Sequence, residues 1–219
     1  MTADQAGEYV TLLTREVLNP ETLSANACAF RFQWASALID SLIASGFYYR
    51  RCLDVGAYNG RMSILMAKKR WGADVKNTIA VDAVDSFKDA YESLSASAET
   101  LRKSGFDMTA HNIKFEDYKT DKLYDAIFAF EVLEHMQDPL FCIEKMYDML
   151  EIGGDLFITV PEERGAYGLS DKNCYHYWAS TVQSLVSVLF YDDRKWSIKN
   201  MIEQGGLIHM RIQKRTYME

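Results

Sequence analysis

An open α/β sheet with an antiparallel tail is the fold this sequence predicts, and three observations predict it. Apolar runs of strand length near residues 51–55, 77–82, 111–115, 124–130 and 156–161 alternate with stretches of helical spacing. That is the pattern of parallel strands joined by crossover helices. The first of these strands ends in Asp54-Val55-Gly56-Ala57-Tyr58-Asn59-Gly60, a glycine-bounded turn that runs straight into a helix and brings a ligand close to backbone. At the C-terminus the pattern changes. Two runs, Trp196 to Met201 and Leu207 to Lys214, flank Gly205-Gly206, which reads as a hairpin. The expected sheet therefore has seven strands: five parallel and a terminal antiparallel pair, with helices on both faces and a helical cap in front.

The elements follow in order. Residues 1–49 form the cap. Asn19-Pro20-Glu21 is a helix start, with Asn as N-cap, proline at the first helical position and an acid in the first turn. Phe30, Trp34, Leu38 and Leu42 then recur at i, i+4, with Ile39 and Ile43 beside them, on a helix that closes near Gly46. After the glycine turn a helix runs from Met62 to about Lys69. Asn77 to Asp82 is the second strand, ending in an acid, and Ser86 caps the helix behind it, which ends at Gly105. His111 to Phe115 is a weak third strand followed by Glu116-Asp117, and Tyr124 to Phe130 is a strong fourth that leads into Glu131-Val132-Leu133-Glu134-His135. Asp138-Pro139 opens the next helix, Gly153-Gly154 closes it, and the fifth strand stops at Pro161. A helix from Thr181 to about Phe190 precedes the hairpin, in which Ile208, Met210 and Ile212 alternate with His209, Arg211 and Gln213. The domain plan is one unit over 1–219, with the cofactor core at 50–161 and an acceptor loop, helix and hairpin at 162–219.

Composition narrows the class. The chain is 48% hydrophobic and 25% charged, with a formal net charge of −7; a general basic surface for nucleic acid is disfavoured. No apolar run approaches the roughly 20 residues of a membrane span, and the first residues lack the pattern of a signal peptide. Cys28, Cys52, Cys142 and Cys174 stand far apart, without a C-x-x-C, as reduced thiols do. A soluble, cytoplasmic protein is expected.

In such a sheet the ligand sits outside the carboxyl ends of the strands, so the candidates are Asp54 to Gly60, Asp82, Glu116-Asp117, Glu131 to His135 and the loop after Pro161. A dinucleotide favours G-x-G-x-x-G, whose middle glycine admits the pyrophosphate. Tyr58 occupies that place, and Asp54 would repel a pyrophosphate but tolerate an ammonium group. An acid at Asp82 is placed to accept both hydroxyls of a ribose. Together these suit a nucleoside with a cationic, amino-acid-like tail.

Leu53 to Gly60, Asp82, Tyr124-Asp125-Ala126-Ile127, Glu131-Val132-Leu133-Glu134-His135 and Leu150 to Leu156, in this order, resemble the class I S-adenosylmethionine-dependent methyltransferases, which have a Rossmann-like fold. The Glu-Val-Leu-Glu-His run and the strand ending in Val160-Pro161 look most like the small-molecule O-methyltransferase branch typified by ubiquinone biosynthesis. The resemblance implies that Asp54, Gly56, Ala57 and Gly60 lie at the methionine part of the cofactor, that Asp82, beside Ala83, holds the ribose, and that Glu116 or Asp117 meets the adenine amino group. Phe130 and Glu131 would line the path from the methionine amine to the methyl group. S-adenosylhomocysteine would be the product.

Methyl transfer from a sulfonium requires an aligned nucleophile and, for a hydroxyl acceptor, removal of a proton. His135 is the expected general base, with Glu131 and Glu134 as groups that orient it or bind an acceptor amine; a structural role for His135 is the alternative. No metal is expected, because Asp138 is the only nearby aspartate and serves as an N-cap. The aromatic loop Gly165 to Trp178 suits an acceptor pocket, with His176 as second-choice base. A small-molecule hydroxyl acceptor is the leading expectation. The alternatives are a nucleic-acid or protein methyltransferase, using Arg194, Lys195, Lys199, Arg211, Lys214 and Arg215 as a basic patch, and a catalytically silent cofactor-binding partner.

Overall fold

The computed structural model describes residues 27–69, 78–161, 195–204 and 207–215. The expected helix start at Asn19-Pro20, the aromatic loop and the helix at 181–190 lie outside them. Two compact units share the chain, Met1–Asp121 and Lys122–Glu219.

In the first unit, α1 (Ala27–Ala44) precedes β1 (Arg51–Val55), α2 (Arg61–Ala67), β2 (Ala80–Asp85), α3 (Lys88–Lys103) and β3 (Met108–Asn112). The strand order is β3-β2-β1, all parallel. The buried face of α1 is Phe32, Trp34, Ala35 and Ile39; of the expected stripe Trp34 and Ile39 lie on it, while Leu38, Leu42 and Ile43 are half-buried, and Lys69 ties the far end of α2 to the helix by bonding Asp40 and the Ser36 carbonyl. Gly60 has φ +78 at the start of α2, so the backbone favours glycine, and a Cβ there would also have to displace the tip of Leu94, whose Cδ1 lies at 2.5 Å.

Two strand ends differ from expectation, each by three residues. β2 runs past Asp82 to Asp85, and β3 ends at Asn112 instead of Phe115. The register explains both: Val81 to Asp85 pair in line with Met108 to Asn112. An acid within the run reads like a strand end in sequence. Asp82 is accommodated mid-strand because His111, two places from its direct partner Thr109, brings Nε2 to 3.2 Å from Asp82 Oδ1. The N-cap of α3 is Phe87, not Ser86, and it makes no side-chain cap.

The second unit holds β4 (Tyr124–Phe130), a single 3₁₀ turn (Leu133–His135), α4 (Pro139–Met149), β5 (Leu150–Pro161), β6 (Trp196–Gln204) and β7 (Leu207–Lys214). β4 and β5 are parallel, while β7 joins β5 and β6 antiparallel, giving the order β4-β5-β7-β6. Asp138 caps α4 as expected, its Oδ1 accepting the Phe141 N–H at 3.0 Å, with Pro139 behind it. β5 begins at Leu150, earlier than Leu156, and carries Gly153 at φ +80. β7 lies between two strands and is buried on both faces from Leu207 to Ile212, so its polar residues do not form the solvent face that alternation suggests. The fold class is the one expected: a Rossmann-like α/β arrangement with an antiparallel C-terminal hairpin.

Candidate functional site

The glycine turn is closed by bonds to β2. Gly56 and Ala57 both donate N–H to the Val84 carbonyl, at 2.9 and 3.1 Å, and Gly60 donates to Ala57 at 2.7 Å. Tyr58 donates to Asp85 Oδ2 at 2.7 Å. These donors, which a phosphate group would require, are taken up inside the protein. Tyr58 has φ +46, a left-handed conformation that costs a residue with a Cβ of order 1 kcal/mol. Its side chain is nevertheless 63% exposed, so the hydrogen bond to Asp85, not packing, holds it.

Asp85 is the organising group of this end of the unit. Oδ2 accepts from Tyr58 and Oδ1 accepts from the Phe87 N–H, each at 2.7 Å. Its carbonyl accepts from Ile113 N–H at 3.1 Å and the Asn112 amide at 3.3 Å, which draws in the chain just before Glu116 and Asp117. Those two lie in the turn after β3, Glu116 half-buried and Asp117 exposed. Tyr58 and Phe87, the latter 71% exposed, stand on either side of Asp85 in the hydrogen-bond pattern.

The placement of Asp82 is corrected accordingly. Asp82 is not at the strand's carboxyl end. In the parallel register Asp54 is level with Ala83, so Asp54 shares a sheet face with Ala83 and Asp85, and Asp82 projects from the opposite one. Asp82 is buried against His111, whose ring lies 5.1 Å from that of Tyr118. The acid at the strand end is Asp85. The signal that finds it is position: it is the last acid before the helix, whereas Asp82 is only the first met along the apolar run.

Asp54 is buried, and Ser63 gives Oδ2 both its N–H (3.0 Å) and its hydroxyl (2.5 Å). Burial pushes its carboxyl from 3.8 up to about 7, against the two Ser63 bonds; Asp85 adds to the rise and Arg31 of α1 opposes it. The raised value means that the folded state favours the protonated form. Between the unfolded pKa and about 7, the folded protein binds a proton that the unfolded chain releases, so this contribution is full below pH 4 and is lost as pH rises toward 7. From 3.8 to about 7 is worth roughly 4 kcal/mol. Urea unfolding at pH 5 and pH 8 should show the wild type losing stability relative to Asp54→Asn as pH rises; parallel curves for the two proteins would refute this.

In the second unit Glu131 follows directly on β4 at φ +53. Its N–H donates to the Thr159 carbonyl at 3.0 Å, and the Thr159 hydroxyl donates to its Oε1 at 3.1 Å. In the 3₁₀ turn beyond, Glu134 is buried and His135 is exposed, with the His135 N–H bonded to Val132 O at 3.0 Å. Glu131 thus precedes the turn and is bonded to Thr159, whereas Glu134 lies buried within the turn. Phe130 is buried, its ring edge-on to Phe128 at 5.8 Å.

Three of the six basic residues near the C-terminus are engaged within the protein. Arg211 makes a buried bidentate pair with Asp155, at 2.9 and 3.0 Å. Lys195 bonds Glu144 at 2.9 Å, and Lys214 donates to the Tyr147 and Leu150 carbonyls at 2.9 and 2.8 Å. Both ammonium groups lie over the Tyr147 ring. Lys199 and Arg215 are exposed, and Arg194 lies outside the described residues. Among the described residues no helix is long and apolar enough to cross a membrane.

Residues 28–198 match a family described as "Methyltransferase domain". The chain is similar to a ubiquinone biosynthesis O-methyltransferase of Vibrio vulnificus (strain YJ016), 29% identical over 118 residues, 53% of this chain and 46% of the relative. It is also similar to a tRNA U34 carboxymethyltransferase of Vibrio atlanticus (strain LGP32), 26% identical over 165 residues, 74% of this chain and 46% of the relative. The chain thus spans about half the length of the curated relatives it matches. In fold it is similar to the plantazolicin methyltransferase BpumL in complex with SAH, with a TM-score of 0.64 at 13% identity over 97% of this chain and 100% of that one. A second fold relative is the N-methyltransferase NodS of Bradyrhizobium japonicum WM9, with a TM-score of 0.58 at 13% identity over 85% of this chain and 97% of that one. With the family match covering most of its length, the chain belongs to the methyltransferase-domain family and has the fold of the methyltransferase structures it is similar to.

Proposed function

We propose that the chain transfers the methyl group of S-adenosylmethionine to a hydroxyl oxygen of a small-molecule acceptor. The observation that carries the reading is the separation of the titratable groups after β4: Glu134 is buried, Glu131 is fastened to Thr159, and His135 is exposed. Of the three, His135 is the exposed one, which supports it as the group that takes a proton from an acceptor, a task suited to an imidazole. The likeness to ubiquinone biosynthesis O-methyltransferases supports oxygen as the nucleophile.

On the cofactor side, the ribose hydroxyls go to Asp85 in place of Asp82. A carboxylate offers about four lone-pair sites, so two backbone N–H donors leave it able to accept two hydroxyls as well. The turn of Glu116 and Asp117 is assigned to the adenine amino group. Asp54 with Gly56, Ala57 and Gly60 is assigned to the methionine end.

The test is a thermal shift with S-adenosylhomocysteine against NAD. A ligand at about 100 times its dissociation constant should add ~2.7 kcal/mol of stability; stabilisation by NAD alone would sink the cofactor assignment. His135→Ala should keep that shift while product release with hydroxyl-bearing acceptors falls by roughly 10²–10⁴. Unchanged turnover would leave His135 with a structural role.

A second reading, methylation of RNA, is favoured by one observation, the similarity to tRNA U34 carboxymethyltransferases. Against it, Lys195, Arg211 and Lys214 are engaged within the protein. A gel-shift titration with tRNA at low salt separates the two, since polynucleotide binding weakens steeply with salt.

A further inference from the structure

Asp54, the next-to-last residue of β1, is a buried acid whose hydrogen bonds all fall on one oxygen. Ser63 sends both its N–H, at 3.0 Å, and its hydroxyl, at 2.5 Å, to Oδ2. Oδ1 accepts no hydrogen bond among the described residues, and it keeps an opening to solvent although the residue as a whole is 3% exposed. The charges around the carboxyl do not settle its state. Within the first unit α1 presents Arg31, α2 presents the uncharged Ser63, and β2 presents Asp85, a second acid on the same sheet face. Arg31 acts on Asp54 more weakly than Asp85 does, and its guanidinium lies over the Phe32 ring, 4.9 Å from the centroid. Among the described residues Asp54 forms no ion pair.

A carboxylate taken out of water without a counter-ion is so unfavourable that the group binds a proton instead. Burial does this to Asp54, raising its carboxyl from 3.8 to about 7. Below that pH the acid of the free protein is neutral. Oδ2 is already an acceptor twice over, so Oδ1 is the oxygen left to carry the proton, and it is also the one with access to solvent. An ammonium group within hydrogen-bond reach of Oδ1 supplies the missing counter-charge and lowers the carboxyl again. Proton and cation compete for this oxygen, because a neutral carboxyl offers a cation no charge and one lone pair fewer. The cation that the proposed cofactor brings is its α-ammonium group.

We propose that Asp54 takes up the α-ammonium group of the cofactor in exchange for its own carboxyl proton. The O–H bond at Oδ1 breaks, the proton passes to the buffer, and the ammonium keeps its N–H bonds, so a neutral acid and a free cation become an ion pair. The inference rests on the cofactor reading above and uses no group outside the first unit. It adds a mode of discrimination: a ligand without the amine has nothing to exchange and leaves the proton in place. It also ties affinity to pH, which should weaken binding about tenfold for each unit below about 7 and leave it level above.

Titration calorimetry of the full chain with S-adenosylhomocysteine, repeated in buffers of different protonation enthalpy, counts the protons released on binding. Wild type should release about one proton per ligand at pH 6 and close to none at pH 8, with affinity rising about tenfold between them. The deamino analogue, which lacks only the α-amino group, should bind without release at either pH. Asp54→Asn, the same shape but unable to titrate, should abolish the release at pH 6 and flatten the pH dependence of affinity. Ser63→Ala removes a hydroxyl that favours the carboxylate, so its release should extend to pH 8; this variant decides the matter if Asp54→Asn folds poorly. Wild-type binding without release at pH 6 overturns the proposal, as does a release that survives in Asp54→Asn or that accompanies the deamino analogue equally. An unchanged release profile in Ser63→Ala overturns it as well. A wild type that binds neither ligand is a different result: it overturns the cofactor reading itself.

Discussion

Asp85→Ala is expected to weaken S-adenosylhomocysteine binding by at least about a hundredfold, while Asp82→Asn leaves it within about threefold of wild type. Two ribose hydroxyls on one carboxylate are charge-assisted bonds worth roughly 1.5–3 kcal/mol each, and every ~1.4 kcal/mol is a factor of ten. The same substitution deprives the Tyr58 and Phe87 amides of their acceptor, so the turn loses the bond that keeps Tyr58 at positive φ. Affinity and apo stability should therefore fall together in Asp85→Ala. Asp82→Asn retains an oxygen and an amide to face His111 and lies on the other side of the sheet. Calorimetric titration of both variants decides between the two acids. Loss of binding in Asp82→Asn with Asp85→Ala unaffected would return the ribose to the mid-strand residue.

The largest stability effect is expected in the second unit. Arg211→Met should destabilise the protein by about 3–5 kcal/mol, because it removes the bidentate counter-charge of a buried carboxylate. Asp155 is 1% exposed and Arg211 8%, and the guanidinium meets both carboxylate oxygens. Their strands explain the pairing: Asp155 is level with Gln213, so Arg211 is its diagonal neighbour on the same face. The cost belongs to the desolvated charge more than to the lost attraction. The double variant Asp155→Leu/Arg211→Met should therefore recover most of the loss, since replacing a whole buried pair by apolar side chains is often neutral or stabilising. Guanidinium unfolding of the single and double variants measures this; a single variant within 1 kcal/mol of wild type would show that the pair is solvated.

The elements themselves were readable because their signals are local. Asp138-Pro139 announces the start of α4, Gly60 and Gly105 bound their helices, and the glycine pair at 205–206 separates β6 from β7. The strand ends were less so. Ala80 to Asp85 contains two acids in an otherwise apolar run, and only the pairing with β3 shows that the first is internal. Register is a property of two strands, not of one, and a shift of a single residue moves a side chain to the other face. The same limitation hid Thr159, whose relation to Glu131 exists only once β4 and β5 lie side by side. Nor does sequence show that Arg211 is buried against Asp155, or that Lys195 and Lys214 both lie over Tyr147.

The double engagement of Asp85 bears on how the turn can be altered or transplanted. One carboxylate joins residues 27 apart and also the chain's entry into α3, so the functional module is not the contiguous stretch Asp54–Gly60. A graft that carried only those residues into another scaffold would import Tyr58 without the anchor that makes its backbone tolerable. It would relax to a different turn, or would demand glycine at that place. The turn and the end of β2 form one part, divided in sequence and joined by three hydrogen bonds, from Gly56, Ala57 and Tyr58.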